Sequence, residues 1–274
     1  MLSSQLEEVR QIGESIKLTA CASIPTLIKY AAVNDYQRSL TTWECPVSAQ
    51  PINNVGSDWL TLVNYNSLGV EKLLASMLYR HGAQNYTTCN KYAADLSNDE
   101  KRILLKDILD GMGAHDNLPH EFEHTSYTFD IMMDQGAYYE VKRHRIMTQS
   151  PQALVASLGY ATPRIFEDSG LLTQYRDAMD QAAACWKKLA DWHPSVASYI
   201  VPNGFNRRVL LSLNVREAYT FIKLRSSASA HFSVRRVACR MAEEIQKAHP
   251  ILSGLFLQNS TESSESIGQM YFIR

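Results

Sequence analysis

The stretch Phe122-Glu-His-Thr-Ser-Tyr-Thr-Phe-Asp-Ile-Met-Met133 decides the fold class. Tyr127, Phe129, Ile131 and Met133 fall on one side of an extended chain, and His124, Ser126, Thr128 and Asp130 on the other. A period of two with one apolar side is the signature of a half-buried strand. The helix that follows it ends at Arg143-His144-Arg145. Phe205 to Leu213 reads as a further strand. Asn214 then caps a helix running to Arg225, with Glu217 in the reciprocal position of a capping box.

Outward from this centre, Leu6, Val9, Ile12 and Ile16 recur at helical spacing within 3–17, and 24–43 continues helically. Trp59 to Tyr65 reads as a short strand. Helices are expected near 69–81 and 98–112, the second opened by Ser97 with Glu100 three residues on. Residues 45–56 have turn composition. A long amphipathic helix covers 168–192, and another covers 232–249, ahead of Pro250. The polar, low-complexity run Asn259 to Ser266 predicts a mobile tail over 259–274. No internal repeat is visible. Strands and helices interleave without a β-α-β rhythm, so the expected class is α+β, a twisted and mainly antiparallel sheet packed with helices. One domain spans 1–274, with 1–57 as an N-terminal extension.

The chain of 274 residues carries 27 Lys+Arg against 28 Asp+Glu, a net charge of −1. Such balance argues against broad neutralisation of a nucleic-acid backbone and leaves room for a local anion site. Five widely spaced cysteines, with no C-x-x-C, predict neither a disulfide framework nor a zinc knuckle, and fit a reducing cytoplasm. Cys185 and Cys239 lie on helical patterns and are expected to pack. No basic, then apolar N-terminal leader and no run of about 18 apolar residues is present, so neither secretion nor a membrane is expected.

Glycine-rich phosphate loops, H-E-x-x-H and G-x-S-x-G are missing, and no histidine pair at metal-ligand spacing has a credible third partner. What remains is a set of donors. Lys142 to Arg145 concentrate cationic side chains after a strand and helix, and Asn214, Val215 and Arg216 open a helix whose first N–H groups favour an anion or a carbonyl-rich ring. Taken singly, Asn214 is a plain cap, and Arg225 a C-terminal charge facing the helix dipole.

Three blocks together resemble the flavin-dependent thymidylate synthase family in order and spacing. They are Phe122 to Phe129, the Arg143-His144-Arg145 tripeptide, and Asn214-Val-Arg-Glu-Ala-Tyr-Thr-Phe-Ile-Lys-Leu-Arg225. The likeness covers 118–250. It implies an α+β fold assembled as a homotetramer with sites between subunits, and FAD as cofactor. It also implies NADPH and methylenetetrahydrofolate as co-substrates and a pyrimidine nucleotide, deoxyuridylate, methylated to thymidylate. By the same resemblance Arg143, His144, Arg145, Asn214, Val215 and Arg216 bind the flavin. Arg143, Glu140 and Arg225 bind the substrate, Arg225 being the catalytic residue, and no metal is involved.

The pattern is also broken. Pro151, Ala153 and Val155 stand where the family has a glutamate, a serine and an arginine that hold the nucleotide. Glu140 stands for a glutamine, Ser198 for an arginine, Thr220 for an asparagine and Ser229 for a histidine. A surface of Pro, Ala and Val cannot satisfy a buried phosphate. The leading reading is therefore a diverged family member that keeps the flavin half of the pattern and has lost most of the deoxyuridylate half. The alternatives are a non-catalytic scaffold or half-site subunit, and a methylase of another pyrimidine. A nucleic-acid role through Lys142 to Arg145 is disfavoured by the charge balance.

Overall fold

The computed structural model describes residues 1–43, 45, 58–113, 115–256 and 262–273. The expected loop at 45–56 therefore lies almost wholly outside the described residues. The architecture is α+β. Strands β1 (Leu60–Tyr65), β2 (Ser126–Asp134), β3 (Thr148–Pro151) and β4 (Asn206–Asn214) form one antiparallel sheet in the order β1-β2-β4-β3. Its spine is the β2–β4 ladder, nine residue pairs in unbroken register from Ser126 opposite Asn214 to Asp134 opposite Asn206.

The alternation read from β2 is what the sheet uses. Tyr127, Phe129, Ile131 and Met133 are buried with Val209, Leu211 and Leu213 of β4, in a core shared with the helices Gly69–His81, Val215–Arg225 and Phe232–Ala248. On the opposite face Thr128 and Ser212 share a 2.8 Å hydrogen bond across the ladder, and Arg208 donates to Asp130 at 2.9 Å. A second, smaller cluster packs Met179 of the Leu172–Trp192 helix on Ala156, Val201 and Phe205.

Several boundaries differ from the sequence expectation, each for a local reason. Phe122 belongs to a 3-10 turn, His120–His124, so β2 begins at Ser126. The helical region 24–43 is broken into Pro25–Ile28 and Asp35–Thr42, because Asn34 caps the second segment by accepting from Gln37 N–H. Helix Asn98–Ile108 carries the expected Ser97–Glu100 capping box, and Gly111 follows with φ of 77°. A helix and a strand are among the elements with no counterpart in the reading. Helix Tyr86–Asp95 is capped by Asn85, and β3 is a four-residue edge strand ending in Pro151, too short to show alternation. In the segment read as a mobile tail, Ser264–Tyr271 is a helix lying on Phe232–Ala248, with Ile267 fully buried and a serine capping box that composition disguised. Cys239 is buried as expected, but Cys185 is exposed. None of the helices among the described residues is long and apolar enough to cross a membrane.

One buried polar group ties the C-terminal half to the sheet. Tyr127 donates its hydroxyl to His249 Nδ1 at 2.8 Å, and His249 Nε2–H donates to the Asn66 carbonyl at 2.9 Å. Gly69 makes this approach possible, since a Cβ there would lie 2.6 Å from Thr125 Cγ2 and 2.9 Å from His249 Cε1. Burial, partly offset by the Asn66 carbonyl and Glu71, holds the His249 pKa below its ordinary value. The unfolded chain therefore binds a proton here first as pH falls below about 6.5. The neutral imidazole adds stability above that pH and loses it on acidification. Thermal melts should drop more between pH 7.5 and 5.5 for the wild type than for His249→Gln; equal drops would show that His249 is not held neutral.

Candidate functional site

The ladder decides where the chemistry gathers. β2 ends at Asp134, which caps helix Gln135–Val141 by accepting from Ala137 N–H at 2.8 Å. β4 ends at the opposite end of the ladder at Asn214, which caps Val215–Arg225 by accepting from Glu217 N–H at 2.8 Å. The two strand–helix units are thus related by an approximate two-fold through the ladder. The ladder is about 30 Å long, and the helices are about 10 Å and 16 Å. Laid back along it from opposite ends, they bring their C-termini together.

At that meeting point the tripeptide turns over the second helix. Glu217, Phe221 and Arg225 recur at four-residue spacing and form one stripe. His144 lies across it: Nδ1–H donates to Glu217 Oε1 at 3.2 Å, Nε2 accepts from Arg225 Nε at 3.2 Å, and the ring stands edge-on to Phe221 with centroids 5.0 Å apart. The side chains of His144 and Glu217 are 9% and 8% exposed. Gln149 of β3 holds the turn by donating to the His144 carbonyl at 2.9 Å. Arg225, 15% exposed at its side chain, also donates Nη1 to Glu140 Oε2 at 2.7 Å and Nη2 to the Glu140 carbonyl at 3.4 Å. The other Glu140 oxygen faces Arg143 Nη2 at 3.2 Å. Cations thus collect where two helix dipoles both point their negative ends.

The expected residues divide into three groups. Glu140, Arg143, His144 and Arg225 come together. Arg145 is beside them and exposed, with no hydrogen bond or ion pair among the described residues. Asn214, Val215 and Arg216 are elsewhere. The Asn214 side chain is spent as a cap, Val215 is fully buried with its N–H donated to the Thr125 carbonyl, and Arg216 turns outward. Its Nε donates to the Leu118 carbonyl at 2.7 Å and its Nη1 to Glu123 Oε1 at 2.8 Å. The Arg216 and His120 contacts hold the Glu123 carboxyl below the usual range. Arg216 and Arg225 therefore serve different neighbourhoods of one helix.

Sequence reasoning placed Glu217 in a capping box; its carboxylate instead leaves the helix start and orients His144. The Glu217-Phe221-Arg225 stripe was the signal available. The divergent positions are satisfied within their own turns: Thr220 donates to the Arg216 carbonyl, Ser198 to the Ser195 carbonyl, and Ser229 pairs with Ser227. Pro151 and Ala153 are exposed and Val155 is half-buried. Among the described residues no three His, Cys, Asp or Glu side chains are grouped to hold a metal ion.

A family model described as thymidylate synthase complementing protein matches residues 61–251, which contain the whole cluster. The chain belongs to that family. A UPF0159 protein of Chlamydia muridarum is 28% identical over 280 residues, covering 97% of this chain and 53% of that protein. A UPF0159 protein of Thermoplasma acidophilum is 33% identical over 190 residues, 68% of this chain and 38% of its own. A flavin-dependent thymidylate synthase of Saccharolobus solfataricus is 28% identical over 224 residues, 74% of this chain and 82% of its own. The chain spans about half the length, or less, of the UPF0159 relatives it matches.

The orienting role of Glu217 is open to measurement. Glu217→Ala strips the buried His144 of its acceptor, and leaving such a donor unsatisfied costs about 1–3 kcal/mol. The urea midpoint should fall accordingly. A midpoint unchanged within error would mean that His144 does not depend on Glu217.

Proposed function

We propose that this chain is a flavin-binding member of the family whose inherited chemistry is methyl transfer to a uracil-type pyrimidine, working together with a further copy or a homologous unit. The observation that carries the reading is the anchored tripeptide: His144 is locked by Glu217 and Arg225, while Arg143, 67% exposed at its side chain, and Arg145 are presented to solvent on either side. Two guanidiniums fixed on a rigid turn suit the diphosphate of FAD, because each can offer paired, charge-assisted donors. Arg145, and Arg143 only through the edge turned away from Glu140, would hold the cofactor directly. Asn214, Val215 and Arg216 would meet the flavin from a separate neighbourhood, at the start of the helix that carries Glu217 and Arg225. A bound flavin would supply the hydride chemistry.

The remaining residues position and polarise. Glu217 sets the His144 tautomer, leaving Nε2 as an acceptor, and His144 in turn orients the Arg225 guanidinium. Donors oriented in advance toward a carbonyl that gains negative charge are worth a few kcal/mol of barrier in comparable sites. Family resemblance supports NADPH and methylenetetrahydrofolate as co-substrates and a homotetramer in the cytoplasm. A second reading, a half-site subunit without turnover of its own, is favoured by one observation, the engagement of Arg225 by Glu140.

Purified protein should bind FAD with a micromolar or tighter dissociation constant, read from the flavin absorbance shift on titration. Arg143→Ala and Arg145→Ala should each weaken it by roughly tenfold, in line with the loss of one charge-assisted contact. Absence of binding at micromolar flavin would reject the flavin reading and leave a scaffold.

A further inference from the structure

Arg225 is not a free cation. A guanidinium carries five N–H donors, and three of the Arg225 donors are taken within the chain, by His144 Nε2, Glu140 Oε2 and the Glu140 carbonyl. Both Glu140 oxygens are engaged in turn, one by Arg225 and one by Arg143. The carboxylate sits between two guanidiniums, as a bound anion would. We propose that Glu140 is a built-in carboxylate ligand of an Arg143–Arg225 anion site, and that it sets this chain's preference for an uncharged pyrimidine over a phosphorylated one. The preference rests on the uracil-type reading above; the occupancy of the arginines by Glu140 does not.

The chemistry follows from what Glu140 leaves available. Two Arg225 N–H groups remain, enough to donate to a neutral carbonyl without displacing any partner. A phosphate needs more. To pair with Arg225 or with the facing edge of Arg143 it must expel the carboxylate or sit a few ångströms from it, where like charges repel strongly in a partly desolvated site. The geometry of Glu140 is also firm: it lies in the last turn of Gln135–Val141, and its own backbone carbonyl is held by the same guanidinium. By the family resemblance Pro151, Ala153 and Val155 stand at the nucleotide-holding positions, and they offer no side-chain donor that would compensate a phosphate. A ligand presenting a uracil ring on a nucleoside fits these constraints, and a nucleotide whose phosphate meets this corner does not.

The test uses the full chain with FAD present, and compares the wild type with Glu140→Gln and Glu140→Asp. Glutamine keeps the size and removes the charge; aspartate keeps the charge. Calorimetry with deoxyuridine and deoxyuridylate gives a preference ratio, which a general loss of stability would not invert. The wild type should bind deoxyuridine at least as tightly as deoxyuridylate. Glu140→Gln should move the ratio toward the nucleotide by about 30-fold or more, as expected for removal of a close like charge, and Glu140→Asp should stay near the wild type. A wild type that favours deoxyuridylate tenfold, or a Glu140→Gln ratio that does not move, overturns the proposal. Phenylglyoxal labelling of Arg225, followed by peptide mass, gives a readout free of any pyrimidine. Labelling should be slow in the wild type and at least tenfold faster in Glu140→Gln; equal rates overturn the occupancy of Arg225 by Glu140. If labelling behaves as expected but no variant binds either uracil compound, the uracil-type reading fails and the preference falls with it.

Discussion

The structure depends on the nine-pair ladder between β2 and β4. Its register places Asp134 and Asn214 at opposite ends of the sheet, and each is the cap of a helix that runs back along the strands. The side-chain period of a strand is two, so a one-residue slip would send Tyr127, Phe129 and Ile131 to solvent and would move the start of each helix. The buried face thereby enforces where both helices begin. Their lengths then enforce where they end, beside one another, and this is the corner at which the tripeptide turns.

That corner is an electrostatic arrangement as much as a packing one. Two helix C-termini with unsatisfied carbonyls attract cations, and the chain supplies Arg143 and Arg225, with His144 bridging Arg225 and Glu217. Carboxylates from each helix, Glu140 and Glu217, set the orientation of those groups. Burial strengthens the His144 contacts, because water competes little with hydrogen bonds at a residue packed edge-on against Phe221. Arg145 and the outer edge of Arg143 face outside partners, while the buried contacts fix the turn that carries them. Rigidity and display are divided between neighbouring residues of one tripeptide.

Much was legible in the chain because it depends on local periodicity and on caps. The alternation of 127–133, the Asn214 cap and the Ser97–Glu100 box are each decided within a few residues, and each appears in the structure. What was misread depended on partners distant in sequence. β3 has no apolar alternation of its own and exists because β4 offers an edge beside it. Helix Ser264–Tyr271 has the composition of a tail, yet its Ser264 N–H and hydroxyl both bind Glu243, 21 residues earlier.

The sequence by itself determined the α+β class, the main strand–helix units and the tripeptide as the place of interest, since strand period, helix caps and charge clustering are short-range properties. The tertiary structure alone decided which donors meet. Arg216 and Arg225 share one helix, but residues nine apart differ in direction and in depth along the axis, so one binds the Leu118–Glu123 segment and the other binds Glu140 and His144. The pairing of Glu140 with Arg225 crosses 85 residues of chain. It arises only because an antiparallel ladder and two helix lengths place those side chains at one point, and no pattern along the sequence encodes that sum.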